Sequence, residues 1–296
     1  MMYGNDQAAK LRELIESTHG VTATQRVVAV ASGKGGTGKS TLSVNMAIAM
    51  RRAGKRVLVI DADFGLANVD LMLGVSSENS LAQVLSGDID PNDVMQTGLE
   101  GVQFLSGGSG VEALLSMEGE AADAMISRLL QIKCDADIIL LDTGAGVNPI
   151  VLRMIAAANE TVIVTTPEPT AVMDAYALIK TASQREPKPI FRLIVNRVEN
   201  RREAVEIPEA IISLARKNLS STIDLLGTVA TDPVIPYSIK RQIPVLVSHP
   251  SSQVAMDIDA AARRLVGVST PTRSTGLSAF ITRLLRIRAD SAVPKP

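Results

Sequence analysis

Short, almost wholly apolar segments alternate with longer stretches of mixed polarity between residue 25 and about residue 267. The apolar segments have the composition of strands that are buried on both faces, and they lie at Val27–Ala31, Arg56–Ile60, Val102–Leu105, Ile138–Leu141, Val162–Thr165, Arg192–Val195 and Asp224–Val229. Helical stretches are predicted near residues 41–53, 81–86, 118–132, 149–158, 170–183, 203–218 and 251–266. This alternation predicts an α/β fold, with a mostly parallel β-sheet sandwiched by helices. Ligands in such folds bind beyond the carboxyl ends of the strands.

Two amphipathic patterns lie outside this alternation. Residues 6–17 place their apolar side chains on one face, which predicts a short helix followed by a linker. Near the other end, a polar linker precedes a basic helical pattern whose apolar face consists of Leu277, Phe280, Ile281, Leu284 and Leu285. We therefore divide the chain into a helix and linker at residues 1–24, a large domain at residues 25–267, and a linker with an amphipathic helix at residues 268–296.

A glycine-rich motif follows the first predicted strand. The stretch Gly33-Lys34-Gly35-Gly36-Thr37-Gly38-Lys39-Ser40-Thr41 fits the pattern G-x-x-x-x-G-K-[ST] and is followed by a predicted helix. Glycines let the backbone present a nest of N–H groups to phosphate oxygens, and the start of the helix adds further free donors. In this pattern the lysine, Lys39, contacts the β- and γ-phosphates, and the Ser40 hydroxyl ligates Mg²⁺. The sequence thus predicts a nucleoside triphosphate site.

Carboxylates follow two other predicted strands. Asp61 and Asp63 come directly after the second strand, and Asp142 follows the fourth strand in the Walker B arrangement. A strand-end carboxylate beside a phosphate loop can support Mg²⁺ or orient a water molecule. A solvated turn that caps a helix is the alternative interpretation of Asp61 and Asp63. The glycines within residues 143–146 would let the backbone shift when a γ-phosphate is present.

Polar loops after the last two predicted strands favour contacts to a purine base. Asn196 offers both a donor and an acceptor to a purine edge. A turn-forming asparagine is the alternative. Asp232 and Pro233 belong to a proline-stiffened loop, and we expect its backbone to hold the adenine.

Composition narrows the class of protein. A chain of 296 residues, 46% hydrophobic and 21% charged, suits one large domain with small appendages. The net charge of −1 gives no overall attraction to nucleic acid, and the aromatic content of 2% argues against stacking of bases on an aromatic surface. Cys134 is the single cysteine, which suits a reducing compartment. The polar first residues and the lack of a long apolar run predict a cytoplasmic protein without a signal peptide or membrane span.

The second lysine of the loop, Lys34, makes the motif more specific. The sequence KGGTGKS resembles the deviant Walker A motif, KGGxGK[ST], of the MinD/ParA ATPases. The segments DADFGLANVD and DTGAG and the NR and TDP loops are also similar to that family, over residues 25–267. Thr37 departs from the family pattern, in which Val is common, and Ser40 replaces the commoner Thr.

The resemblance implies a MinD-like P-loop NTPase that binds ATP and Mg²⁺, hydrolyses ATP slowly and forms an ATP-dependent homodimer. It also implies roles for individual residues. Lys34 would cross to the nucleotide of the facing subunit, and Asp63 would orient the attacking water. Ser40 and Asp61 would lie around Mg²⁺, and Asp142 would support the shell of ligands around the metal.

Within that family the chain looks like the regulators of flagellar number and placement of the FlhG (FleN) type. Asp6-Gln7-Ala8-Ala9-Lys10-Leu11-Arg12 resembles their DQAxxLR element. The resemblance implies that Gln7 and Arg12 act on FlhF, a partner GTPase of the signal-recognition type. It further implies contacts with a flagellar transcription activator and with components of the flagellar base. The C-terminal helix would bind an anionic membrane surface at the inner face of the cell membrane.

Other functions share parts of this pattern. A ParA-type DNA-segregation ATPase would have the same loops, but the net charge gives it no support. A cell-division MinD would lack the N-terminal element. A nitrogenase-type reductase would need two cysteines in each subunit, which this chain does not have. A nucleotide-dependent scaffold with negligible turnover would share every binding residue.

Overall fold

The computed structural model describes residues 25–63, 69–77, 79–107, 127–186, 188–219, 222–268 and 276–291, without the side chains of 285–291. It contains eight strands: β1 (Arg26–Ser32), β2 (Val57–Ala62), β3 (Gln96–Thr97), β4 (Gln103–Ser106), β5 (Ile138–Ala145), β6 (Glu160–Thr165), β7 (Phe191–Val198) and β8 (Ile223–Ala230). They form one sheet in the order β3-β4-β2-β5-β1-β6-β7-β8. Only β3 pairs antiparallel, with β4. The seven predicted strands are confirmed, whereas β3, with two residues, is too short to show a pattern.

Helices cover both faces of the sheet. Their bounds are α1 (Lys39–Arg52), α2 (Val69–Met72), α3 (Leu81–Ser86), α4 (Pro149–Ala157), α5 (Pro169–Ala182), α6 (Arg201–Leu219), α7 (Val234–Lys240), α8 (Val245–Ser248), α9 (Gln253–Gly267) and α10 (Leu277–Ser291). Of the helix predicted near residues 118–132, only 127–130 is both described and helical. The pattern did not predict the short helices α2, α7 and α8. The predicted N-terminal helix, with Gln7 and Arg12, lies outside the described residues.

The central strand β1 shows why the sheet is buried on both sides. All seven of its residues are buried. Val28 and Val30 pack into the core beneath α1 and α9, whereas Val27 and Ala29 pack into the core on the opposite face. Because successive side chains of a strand point to opposite faces, a strand with two covered faces must be apolar throughout. The sheet therefore forms the rigid support of the site.

Buried charges hold the amino ends of the strands together, at the edge of the sheet opposite the phosphate loop. Glu160 begins β6 and is 1% exposed. Its carboxylate accepts hydrogen bonds from Arg26 of β1 and from Arg192 of β7. Arg26 also donates to the carbonyl oxygen of Leu265, near the end of α9. This network fixes the positions of three neighbouring strands relative to a helix.

The C-terminal helix α10 packs against α4 on its own domain. Its apolar side chains Leu277, Phe280, Ile281 and Leu284 are 6–8% exposed and belong to the core beside β5. Arg283 points inward as well, and its Nε donates to the carbonyl oxygen of Ala157 at 2.6 Å. The side chain of Leu285 is outside the described set. No helix among the described ranges is both long and apolar enough to cross a bilayer.

Candidate nucleotide and metal site

The predicted phosphate loop connects the carboxyl end of β1 to the start of α1. Gly36 and Gly38 have φ values of 79° and 90°, in the left-handed region that favours glycine. A Cβ added to Gly35 or Gly36 would meet no atom within 4 Å, so open space lies above this part of the loop. A Cβ on Gly33 would instead lie 2.2 Å from the backbone of Asp174. The loop thus rests closely on α5 while its outer side is open to a ligand.

Asn196 supports the loop from the neighbouring strand end. Its Nδ2 donates to the carbonyl oxygen of Thr37 at 2.8 Å, and a Cβ on Gly38 would lie 2.3 Å from that nitrogen. Its Oδ1 accepts from the N–H of Arg197, which has a φ of 58°. The asparagine therefore shapes both a turn and the phosphate loop, and its contact with a purine stays a prediction.

Asp232 and Pro233 lie beyond the carboxyl end of β8. The Asp232 Oδ1 accepts from the N–H of Val234 at 3.0 Å, and Pro233 is the residue that precedes α7. The loop therefore leads directly into a helix on the same edge of the sheet as the phosphate loop. The predicted contact of this loop with adenine remains a prediction.

A buried ion pair joins the phosphate loop to the Walker B strand. Lys39 Nζ lies 3.2 Å from Asp142 Oδ1, and their side chains are 7% and 1% exposed. The same carboxylate oxygen accepts from Ser43 Oγ at 3.1 Å. Ser43 is completely buried, one helical turn after Lys39 on α1. Its i, i+4 spacing from the lysine is the only sequence signal that could have identified it.

The sheet brings the two predicted Mg²⁺ carboxylates together. Asp61 of β2 and Asp142 of β5 are directly paired residues in adjacent parallel strands. Asp61 is 2% exposed, and its two oxygens accept from the N–H groups of Asp63 and Val69 at 3.1 Å each. The second bond joins Asp61 to the first residue of α2, whereas the burial of the carboxylate differs from the solvated turn of the alternative interpretation. The role of Asp61 beside the metal stays a prediction, together with that of Ser40.

Asp63 and the glycines after Asp142 face one another. A Cβ on Gly144 would lie 3.6 Å from Asp63 Oδ1. The N–H of Gly146, a residue with a φ of 90°, donates to the carbonyl oxygen of Ser32 at the end of β1. The segment that leads into α4 is therefore anchored beside the phosphate loop.

Lys34 is held by its own chain in this structure. Its Nζ lies 2.8 Å from Glu168 Oε2 and 3.1 Å from Thr170 Oγ1. The hydrogen bond and charge of the lysine hold the pKa of Glu168 below its ordinary value. The side chains of Lys34 and Glu168 are 40% and 56% exposed, so the pair is accessible to solvent. The sequence did not predict that Glu168 and Thr170 belong to the site. Both follow β6 closely, so the expectation that ligands bind beyond the carboxyl ends of strands could have identified them.

These residues fit a nucleotide with Mg²⁺. The open glycine loop suits a phosphate chain, and Lys39 lies at its base. The part of the chain that the structure describes holds no group of three or more His, Cys, Asp or Glu that could bind a metal by itself. Mg²⁺ is usually bound by one or two carboxylates together with phosphate oxygens, and the sheet pairs the two carboxylates Asp61 and Asp142 beside the loop. The arrangement can therefore bind and polarise a phosphoanhydride.

Thr37 provides a stability test of the loop. Its side chain is 3% exposed, and its Oγ1 has no hydrogen-bond partner in the described part of the chain. Burial of an unpaired hydroxyl is unfavourable. Thr37→Val should therefore raise the free energy of unfolding by about 1 kcal/mol and leave ATP affinity unchanged. Urea denaturation without nucleotide and a fluorescent-nucleotide titration measure the two quantities.

Thr143→Val is the matched control, because the Thr143 hydroxyl donates to the carbonyl oxygen of Val30 at 3.0 Å. The same chemical change should there lower the free energy of unfolding by about 1 kcal/mol. Equal or lower stability of Thr37→Val relative to the wild type would contradict the assignment of Thr37 as an unpaired group.

Two relatives are similar to this chain over most of its length. Antiactivator FleN of Pseudomonas aeruginosa is 30% identical over 262 residues, which cover 88% of this chain and 94% of FleN. The flagellum site-determining protein YlxH of Helicobacter pylori is 31% identical over 293 residues, which cover 95% of this chain and 99% of YlxH.

A solved structure and a family model also match this chain. The septum site-determining protein MinD of Pyrococcus horikoshii, solved in complex with Mg-ADP, matches with a TM-score of 0.66 and 27% identity over 82% of this chain and 96% of that chain. The ParA family model, described as NUBPL iron-transfer P-loop NTPase, matches residues 23–266. This chain therefore belongs to the ParA/MinD family of P-loop NTPases, whose members are ATPases.

Proposed function

We propose that this protein is a Mg²⁺-dependent ATPase that dimerises with ATP, associates reversibly with the membrane and regulates the number and placement of flagella. One observation carries the enzymatic part: the phosphate loop, Lys39 and the paired carboxylates Asp61 and Asp142 meet at one edge of the sheet. The similarity to FleN and YlxH supports the flagellar part.

Lys39 would exchange partners when ATP binds. Its ammonium is paired with Asp142 in this structure and would turn to the β- and γ-phosphates. Ser40, Asp61 and Asp142 would hold Mg²⁺, which when bound neutralises charge on the phosphates. Asp63, beside Gly144, would orient the attacking water. The backbone N–H groups of the glycine loop would bind the phosphate oxygens.

Lys34 would complete the site of a facing subunit. It is exposed, and Glu168 and Thr170 hold it through contacts that solvent screens. A short reorientation would free the ammonium to reach a nucleotide across a dimer. A cation so placed stabilises charge on the transferred phosphoryl group, as an arginine finger does. The ATPase would then require two copies of the chain.

The docked helix α10 would be the membrane-binding element. In this structure its apolar face is covered by α4 and the adjacent core. The segment 142–146, which contacts the nucleotide site, leads through Asn148 directly into α4. A shift of that segment would move α4 and release α10 to an anionic membrane at the inner face of the cell. Two copies in a dimer would then bind more tightly than one, because the second attachment is intramolecular.

The N-terminal element would act on a partner rather than on this ATPase. Gln7 and Arg12 belong to the DQAxxLR-like segment, which lies outside the described residues. We propose that this segment stimulates the GTPase FlhF. A flagellar transcription activator and components of the flagellar base are proposed as further partners, from the same resemblance.

A positioning role in cell division or DNA segregation is the second candidate. It is favoured by the likeness to MinD of Pyrococcus horikoshii, at a TM-score of 0.66. All of these candidates are spatial-positioning ATPases of the same family. The flagellar candidate is preferred because residues 6–12 resemble the DQAxxLR element and because the alignment with YlxH, which is named for flagellar placement, extends over 95% of this chain.

The first test of the proposed function concerns dimer-dependent hydrolysis. Lys34→Ala should lower ATP turnover by about a hundredfold or more, since it removes a cation directed at developing charge, and should weaken dimerisation. Asp63→Ala should abolish turnover but retain ATP binding and trap the dimer. Phosphate release measured against protein concentration should rise more steeply than linearly for the wild type.

Lys180→Ala, at an exposed lysine of α5, is the control and should behave like the wild type. Strictly linear dependence of the rate down to low protein concentration would refute the requirement for a dimer. Wild-type turnover by Lys34→Ala would refute the role of that lysine.

The second test of the proposed function concerns ATP-dependent binding to anionic lipid. Wild-type protein should float with vesicles that contain anionic lipid in the presence of ATP, much less with ADP, and less at high salt. The Leu284→Glu variant should not float with the vesicles, because the substitution removes an apolar contact with the membrane. Leu214→Glu makes the same change at a leucine of α6 that is 41% exposed, and it should float like the wild type. Equal flotation with ATP and ADP would refute the switch.

The third prediction concerns FlhF. A synthetic peptide of residues 1–20 should raise the rate of GTP hydrolysis by FlhF, and Arg12→Ala in the peptide should abolish the effect. Lys10→Ala, a loss of one positive charge in the same segment, is the control and should retain it. The absence of stimulation by both the peptide and the full-length protein would exclude this function.

A further inference from the structure

Ser43 makes a contact that the proposed roles do not explain. Its hydroxyl lies 3.1 Å from the Lys39 carbonyl oxygen and 3.1 Å from Asp142 Oδ1. The hydroxyl has one proton, so these two acceptors compete for it. Donation to the Lys39 carbonyl oxygen would be the ordinary backbone bond of a serine within a helix. The second contact reaches from α1 to the end of β5 and joins a fully buried hydroxyl to a carboxylate that is 1% exposed. Ser43 therefore contacts the Walker B residue from the body of a helix.

The contact matters most when Lys39 is engaged elsewhere. Asp142 Oδ1 accepts from both Lys39 and Ser43. Once Lys39 turns to phosphate, Ser43 remains within reach of that oxygen, since its side chain is short and α1 is packed in the core. A hydrogen bond to a charged acceptor is stronger than a neutral one. The bond from Ser43 would keep the Asp142 carboxylate in its orientation while the Lys39 ammonium contacts phosphate.

We propose that Ser43 is a positioning residue for the metal site, an inference that rests on the proposed ATPase function. By donating to Oδ1 of Asp142, Ser43 would leave Oδ2 as the oxygen available to the metal site. The serine would thus determine which oxygen of the carboxylate serves the metal. A serine with only a structural role would be satisfied by the Lys39 carbonyl alone, and its loss would not change the response to Mg²⁺.

Binding of a fluorescent ATP analogue at increasing Mg²⁺ concentration tests the inference without turnover. Ser43→Ala should raise the Mg²⁺ concentration for half-maximal binding about tenfold, the effect of losing one hydrogen bond to a charged group. Affinity measured without Mg²⁺ should stay within about twofold of the wild type, because Ser43 is completely buried and its hydroxyl contacts the Lys39 carbonyl oxygen and Asp142. Ser43→Thr, which restores the hydroxyl, should recover most of the Mg²⁺ response.

Ser238→Ala is the matched control. Ser238 is 3% exposed and its hydroxyl pairs with that of Ser248, away from the carboxylates. This variant should keep the wild-type response to Mg²⁺. If Ser43→Ala does not fold, Ser43→Cys fills the site with a larger side chain that keeps a weaker donor, and it should raise the half-maximal Mg²⁺ concentration about threefold.

A wild-type Mg²⁺ response in the folded Ser43→Ala protein, or in Ser43→Cys if the alanine variant does not fold, would overturn the inference. So would a response of Ser43→Thr that is no better than that of Ser43→Ala. If the wild-type protein neither bound nor hydrolysed ATP, the proposed function would fail instead, and the inference with it. ATP binding by the wild-type protein therefore distinguishes failure of the proposed function from failure of the inference about Ser43.

Discussion

The buried ion pair between Lys39 and Asp142 is the contact on which the candidate nucleotide site depends. Both side chains are almost wholly removed from water, and their charged atoms lie 3.2 Å apart. Removing one partner of a buried pair leaves an uncompensated charge, which is strongly destabilising. Each group must therefore have a partner in every state of the protein. A phosphate for Lys39 and a cation for Asp142 would satisfy both together, which gives a physical reason for nucleotide and metal to bind jointly.

The order of the strands makes this pair possible. β5 lies between β1, which leads into the phosphate loop, and β2, which ends in Asp61. Asp142 is consequently paired with Val30 on one side and with Asp61 on the other. Three segments that are far apart in the chain meet at adjacent strand ends. The rigidity of the central sheet, whose strands are buried on both faces, keeps them there.

The contacts farther from this centre are more easily exchanged. The Lys34–Glu168 pair is exposed, so solvent screens it and its loss leaves no buried charge. The α10 helix is held mainly by apolar contacts of one face and by the bond from Arg283 to Ala157. Both features are attached to α5 or α4, helices that begin shortly after a strand end at the site. The molecule thus combines a firmly paired centre with two peripheral contacts, which a facing subunit and a membrane would replace in the proposed function.

The sequence alone determined the elements and the class of site. Apolar runs predicted seven strands, and the glycine motif predicted the phosphate loop, because both signals depend on neighbours a few residues apart. It did not reveal that Ser43 contacts Asp142, that Asn196 supports Thr37, or that Glu168 holds Lys34. It also assigned Arg283 to the basic character of the C-terminal helix, whereas this residue points to Ala157. Those contacts join residues from separate elements, so they are set by strand order and helix packing, which no local pattern encodes.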